Sequence, residues 1–507
     1  MGQVRADGEA GPRHSLELTL ADRRRFGEAA MAWVLEYAAN AAESPVYPAI
    51  SAADLQQLIA EPLPRDGHDP AQVLAQFAEF AALGRNNSHP RMFGYVQSSG
   101  NFAGVIGDLL ASALNQNVTS WRSAPSATTI ELQVIDWLKA LVGCDGFGGG
   151  LLLGGGSAAN MAAMAAALRA STDVDINRRG LTALPGRPTV YASDRVHMSI
   201  PKAAALLGLG QEAVRIVPTA SDGALLPAAL ADLIVADRAT GHHPVCVVGN
   251  AGDVNTGAID PLDEIADVCA EAAVWFHVDG SYGGFAAAVP QMAAAFAGMH
   301  RAQSIALDPH KWLFAPLDAG CLLVRDEAHL RRVFSQGAAY IDVVADRDMS
   351  DFAFWDVSPE LSRRFRALKI WFALKLHGAT AFANVIERNL ALAQQLGEAI
   401  DQSDDFERLA PISLSIVCFR YVPRPLAGQD AALNEFNREL MVAVQRDGGS
   451  YLSNVVLGPR FALRACIVNH RTRAEDLERL LADLRRVAET TMVRFQAGGA
   501  GASPSLL

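Results

Sequence analysis

Seven short apolar runs, GGLLL, PTVYAS, AVRIVP, PVCVVG, AVWFHVD, SIALD and GCLLVRD, follow one another between residues 149 and 326, with helix-compatible stretches between most of them. Runs of Val, Ile and Leu without polar alternation read as strands covered on both faces, and strands that alternate with helices build a mainly parallel sheet. The chain is therefore expected to be α/β, with a seven-stranded sheet in a large domain spanning residues 101–395. Before it, TLADRRRFGEAAMAWVLEYAANA, SAADLQQLIA and PAQVLAQFAEFAAL have helical spacing and define a helical segment over 1–100. After it, LSIVCFRYV and FALRACIV read as strands, and DAALNEFNRELMVAVQ and TRAEDLERLLADLRRVAETTMVRF as helices. They predict a small α+β domain over 396–507.

In parallel sheets, ligands collect beyond the carboxyl ends of the strands. The polar residues that follow each run are few. Gly154, Gly155, Gly156 and Ser157 open a helix after LLL, and Asp194 and His197 follow PTVYAS. Asn250 and Asp253 follow PVCVVG, Asp279 ends the run VWFHVD, and Asp308, His310 and Lys311 follow SIAL. Singly, each has an ordinary explanation, such as helix capping for an Asp or snorkelling for a Lys.

Lys311 poses the sharpest question, because it stands between SIAL and WLF in a stretch that reads as buried. Lysine is almost never fully buried unless paired, so it either reaches solvent or carries no free ammonium. Taken together, the strand-end residues suit three chemical groups. Bare N–H groups and a hydroxyl at a helix start suit a phosphate. A carboxylate suits a protonated pyridine, and a lysine suits an aldehyde with which it forms an imine.

HPRMFGY (89–95), LNQNVTSW (114–121), GGGSAANM (154–161), HVDGSYGG (277–284), DPHKW (308–312) and SRRFRALKIW (362–371) together resemble the group II pyridoxal-phosphate decarboxylases, the family of aromatic-L-amino-acid decarboxylase. The resemblance covers nearly the whole chain. It implies fold type I, the aspartate aminotransferase fold, with pyridoxal 5'-phosphate as cofactor and decarboxylation of an L-amino acid to its amine. It marks Lys311 as the Schiff-base lysine, Asp279 as the partner of the pyridinium, and His197 as the residue stacked on the cofactor ring. Gly155, Gly156 and Ser157 resemble the phosphate loop, with Asp308 and His310 close to the phosphate. Asp253 stands among the cofactor-binding positions, where many relatives carry Thr. Tyr340, in FSQGAAYIDVVADRD (334–348), falls on the tyrosine of the family's catalytic loop, its proposed proton donor.

The same resemblance places Tyr95, Val96, Gln97, Ser98, Thr119 and Ser362 along the substrate, with residues around Asn117–Thr119 supplied by a second subunit of a homodimer. Tryptophan, tyrosine, phenylalanine and DOPA lead as substrates. Histidine or an acidic amino acid stays open, as does an aldehyde-forming variant of the reaction. Arg464 in FALRACIV is the arginine considered for a distal carboxylate. A net charge of −12 argues against nucleic acid or an anionic membrane as partner. The six cysteines show no CxxC or zinc spacing, so no metal site is expected. Reduced thiols in a cytoplasmic protein fit that pattern.

Overall fold

The computed structural model describes residues 16–335 and 352–498. All seven apolar runs are strands: β1 (Gly149–Leu153), β2 (Pro188–Ser193), β3 (Val214–Val217), β4 (His243–Asn250), β5 (Trp275–Gly280), β6 (Ser304–Leu307) and β7 (Gly320–Val324). They form one sheet in the order β1-β7-β6-β5-β4-β2-β3. Strands β2 to β6 run parallel to their neighbours among themselves, and β7 is antiparallel to both β1 and β6. Every residue of β1, β2, β5, β6 and β7 is buried, whereas edge strand β3 is buried only at Val217. Two covered faces explain why the strands read as unbroken apolar runs.

The helices before and within this domain are α1 (Leu20–Ala39), α2 (Ala52–Ile59), α3 (Pro70–Ala82), α4 (Phe102–Leu114), α5 (Pro125–Leu141) and α6 (Gly156–Ala170). The first three start where side chains cap the free amides: Thr19 accepts from Asp22 N, Ser51 from Asp54 N, and Asp69 from Ala71 N. None of these three helices has a buried residue, even though Leu20, Leu35, Leu58 and Phe77 lie on them and are exposed. Helix α6 is the opposite case. Its buried Ala159, Ala162, Ala163, Ala166 and Ala167 let it lie close against β4–β7. Small side chains set that distance, and the packing carries the N-terminus of α6 to the carboxyl edge of the sheet.

A second, antiparallel sheet has the order β10-β11-β9-β8, with β8 (Phe406–Arg408), β9 (Ile416–Tyr421), β10 (Ser453–Leu457) and β11 (Arg460–Cys466). It has its own core, including Phe419, Leu440, Leu463, Leu480 and Leu484. Helix Ala379–Asp401 runs unbroken through residue 395 and contributes Leu392 and Leu396 to this second core. Strands β8 and β10 had no apolar run to announce them. β10 alternates buried Ser453 and Val455 with exposed Asn454 and Val456, as one covered face requires.

One ion pair fastens α5, β1 and the segment around Val118. Arg363 and Glu131 are paired with both side chains fully buried. Arg363 also donates to the carbonyls of Val118 (2.8 Å) and Leu152 (2.9 Å), and Glu131 accepts from Leu152 N at 3.2 Å. Leu152 lies two residues before the Gly-rich turn, so the pair anchors the strand that delivers that turn. Removing one partner of a buried pair leaves a charge without compensation. Glu131→Ala is therefore expected to cost about 3–5 kcal/mol of stability, read as a lowered midpoint in urea unfolding.

Candidate active site

Register brings the polar strand ends to one edge. Asn250 pairs with Asp279 across β4 and β5, and Asp279 pairs with Ala306 across β5 and β6. Asp308 and Lys311 follow directly after β6, so they emerge beside Asp279. Lys311 Nζ lies 3.0 Å from Asp308 Oδ2, and the lysine side chain is only 19% exposed. Two aromatic residues from the flanking motifs support this edge from below. Trp312 and Tyr282 stack with ring centroids 5.2 Å apart, and both are buried. Trp312 Nε1 donates to Asn389 (3.1 Å), and Tyr282 Oη meets Ser415 Oγ at 2.7 Å, fixing the second domain against the first.

Asp279 is buried, and burial alone would drive its proton affinity up. Its surroundings reverse that: hydrogen bonds from Ser281 and Asn160 and the positive charge of Lys311 hold the carboxyl below its usual range. Ser281 N donates to Oδ1 at 3.1 Å and Asn160 Nδ2 to Oδ2 at 2.8 Å. The carboxylate is thus ionised in a place that is nearly dry. His197 goes the other way. Burial, supported by the Lys311 ammonium and opposed by Asp279 and Asp308, lowers its pKa, so the ring is neutral. His310 is likewise lowered, mainly by burial, and its Nδ1 sits 2.7 Å from the Ala319 carbonyl.

The phosphate-loop residues meet the same cluster. A Cβ on Gly156 would collide with Ser281 Oγ and come within 2.9 Å of Asp308 Oδ2. A Cβ on Gly155 would stand 3.4 Å from His310 Cε1. Ser157 is exposed at the first turn of α6, where backbone N–H groups have no partner within the helix. Ser281 Oγ and Asp308 Oδ1 are buried with no hydrogen-bond partner among the described residues. Orphaned buried polar atoms carry a cost unless a bound group meets them. A phosphate, a cationic ring nitrogen and a reactive aldehyde all find counterparts here: the turn and Ser281, Asp279, and Lys311. The residues present therefore fit pyridoxal phosphate.

The remaining positions divide. Ser98 Oγ donates to the His310 carbonyl at 2.9 Å, which brings the 95–98 segment against the cluster. Tyr95 adopts a positive φ of 61° and is half exposed, Val96 is buried, and Gln97 Oε1 accepts from Arg85 at 2.7 Å. Ser362 lines a separate cavity of about 380 Å³ with Asn115, Gln116 and Asn117. Nearby Thr119 Oγ1 is buried without a partner among the described residues. Asp253 is committed to its own turn, accepting from Asn255 N, Thr256 N, Thr256 Oγ1 and Ala258 N at 2.6–3.0 Å. Arg464 is buried and bonded to Ser453 Oγ and the Val254 carbonyl. Tyr340 lies outside the described residues.

Sequence reasoning passed over Asn160, Ser199, Ser281 and His277, all of which touch this cluster. Two signals were present. His277 stands two residues before Asp279 in an apolar strand, hence on the same face. Asn160 is a lone amide within an otherwise Ala- and Met-rich helix.

Comparison with known proteins agrees with this geometry. The profile of the family described as "Pyridoxal-dependent decarboxylase conserved domain" matches residues 53–422. An aromatic-L-amino-acid decarboxylase of Bacillus atrophaeus is 34% identical over 483 residues, covering 95% of this chain and 98% of that protein. Tryptophan decarboxylase 1 of Oryza sativa subsp. japonica is 31% identical, covering 88% of this chain and 90% of the relative. The crystal structure of Oryza sativa TDC with PLP and tryptamine superposes with a TM-score of 0.86 at 29% identity, covering 94% of this chain and 99% of that one.

Because Gly156 has no room for a side chain, Gly156→Ala is expected to push Ser281 and Asp308 away from the turn. Overpacking of this kind costs about 1–3 kcal/mol. Pyridoxal phosphate binding should weaken by roughly 5- to 150-fold, measured by titrating apoprotein with the cofactor and following its visible absorbance.

Proposed function

The chain belongs to the family of pyridoxal-dependent decarboxylases, and on that footing we propose that it converts an aromatic L-amino acid (tryptophan, tyrosine, phenylalanine or DOPA) to the corresponding amine and CO2. The reaction class follows from the family: this is a pyridoxal-phosphate-dependent carboxy-lyase acting on an amino acid. When bound, the cofactor supplies an aldehyde that captures amines and a cationic ring that accepts the electron pair left by departing CO2. The observation that carries the residue roles is the ionised Asp279 buried beside Lys311 at one sheet edge.

In this reading Asp279 holds the proton on the ring nitrogen, because a buried carboxylate with depressed proton affinity favours a cation opposite it. Lys311 holds the aldehyde carbon through Nζ between turnovers. Asp308, 3.0 Å from that nitrogen, would hold the lysine side chain in place beside the aldehyde. His197 holds one face of the ring, and Gly155, Gly156 and Ser157 hold the phosphate with Ser281 and His310 at its flank. Tyr340 is assigned the return of a proton to the substrate Cα. Tyr95, Val96, Gln97 and Ser98 line the side-chain end of the substrate, a placement supported by the contact of Ser98 with His310.

Thr119 and Ser362 are assigned to the pocket of a second subunit. Support comes from the apolar side chains that α1–α3 leave uncovered and from the buried, unpartnered Gln116 Oε1 and Thr119 Oγ1. A C2 homodimer would cover both. All six cysteines are buried and unpaired, in keeping with a reducing cytoplasm. Among the described residues, no helix is long and apolar enough to cross a membrane.

A panel of L-amino acids assayed for CO2 and amine tests the reading. Release is expected from at least one aromatic substrate, abolished in Lys311→Ala and reduced by about 100-fold or more in Asp279→Asn. No release from any aromatic member would refute the substrate class. In light scattering the protein should run at twice the chain mass, and a fully active monomer would refute the dimer.

A further inference from the structure

We propose that Asn160 is a positioning residue that ties the Asp279 carboxylate to both His197 and His277 and fixes where each ring carries its proton. The inference rests on the roles proposed for Asp279 and His197, and it concerns how they are held.

The hydrogen bonds leave one consistent assignment. An ionised Asp279 only accepts, so the Asn160 amide must turn Nδ2 toward it, at 2.8 Å. The same Nδ2 reaches Ser199 Oγ at 2.9 Å. Asn160 Oδ1 then faces His277 Nε2 at 2.9 Å, and that nitrogen must bear the proton. His277 Nδ1 is left as an acceptor for Ser304 Oγ at 2.8 Å, and Ser304 Oγ accepts in turn from Trp275 Nε1 at 2.9 Å. On the other branch, Ser199 Oγ accepts from Asn160 and gives its own proton to His197 Nδ1, 2.9 Å away. The backbone N–H of Ser199 also points at Nδ1, at 3.2 Å. A backbone amide can only donate, so His197 keeps Nδ1 bare and its proton sits on Nε2.

One negative charge thereby orients six side chains, and Asn160 is the junction through which it does so. Adding a proton to His197 would set N–H against N–H at Nδ1, and adding one to His277 would force Ser304 Oγ to turn and accept, leaving its own proton without that partner. Burial pushes in the same direction, lowering His277 to about 4. The charged groups facing these rings and Asp279 are Lys311 and Asp308 beyond β6. Asn160 and His277 are 1% and 0% exposed, so solvent does not stand in for a lost partner.

The test uses the full-length, cofactor-loaded protein labelled with 15N in histidine, with ring resonances assigned through His197→Gln and His277→Gln. In the unsubstituted protein both rings should be neutral with the proton on Nε2 between about pH 7 and 8. Asn160→Asp replaces the amide with a second acceptor, so His277 should become cationic in that window. In Asn160→Ala, Asp279 loses a donor that depresses its pKa. Activity needs the ionised carboxylate and fails as pH falls through that pKa, so the acid limb of the kcat/KM profile should move to higher pH. Cofactor affinity of the apoprotein should fall roughly tenfold or more. A merely structural role would lower stability without moving the acid limb. Should Asn160→Ala not fold, the Ser199 branch still decides: Ser199→Ala removes one of the two donors to His197 Nδ1 and should shift that nitrogen's resonance, and Ser199→Thr should restore the original spectrum. Unchanged histidine spectra and an unmoved acid limb in Asn160→Ala, or a proton on Nδ1 of His197 in the starting protein, would overturn the proposal. Histidine spectra as expected in a protein that decarboxylates no aromatic amino acid would instead overturn the substrate reading and leave this one standing.

Discussion

A single ionised carboxylate, buried at the carboxyl edge of a parallel sheet, organises the rest of this protein's chemistry. Asp279 would be driven toward its neutral form by burial, and only donors supplied by several elements keep it charged. Those groups come from the turn after β5, from α6 and from the segment after β6. Each must arrive within hydrogen-bonding or electrostatic range, so the sheet register and the packing of α6 are conditions for the charge to exist. The alanine face of α6 is one such condition: larger side chains would lift the helix and carry Asn160 away from Asp279.

The surrounding charges follow a common pattern. Asp308 neutralises Lys311 at 3.0 Å while both histidines at this edge stay neutral. A second buried pair, Arg363 with Glu131, stands behind β1 and holds the segment around Val118 against the strand that leads into the glycine turn. Neither pair is a large source of net stability, since desolvation offsets most of the Coulombic gain. What they provide is position. The stacked Tyr282 and Trp312 do the same by apolar contact, joining the two domains beneath the site.

Much of this was legible in the residues in order. The apolar runs became strands because burial on both faces leaves little polar alternation to obscure them; edge strand β3, with Arg215 in it, departs from that burial. The residues after those runs, Asp279, Asp308 and Lys311, gather at one edge because parallel strands end together. The motif aromatics were legible only as a pattern; that Tyr282 and Trp312 are structural supports came from their burial and stacking. Strands β8 and β10 were not legible, since a short half-covered strand with Ser453 and Asn454 in it resembles a loop. Asp253 shows the limit in another way: position after a strand suggested a ligand, yet its carboxylate spends its bonds on its own turn.

By itself the sequence determined the architecture and the reactive groups, because apolar period, glycine placement and residue chemistry are local properties. Tertiary structure alone decided the electrical state of those groups. Whether a carboxyl is ionised, or which nitrogen of an imidazole carries the proton, depends on partners far apart in the chain. Asn160 and Asp279 are separated by 119 positions, Asn160 and His277 by 117. No reading of spacing brings such partners together, since their contact is made by the packing of a helix on a sheet.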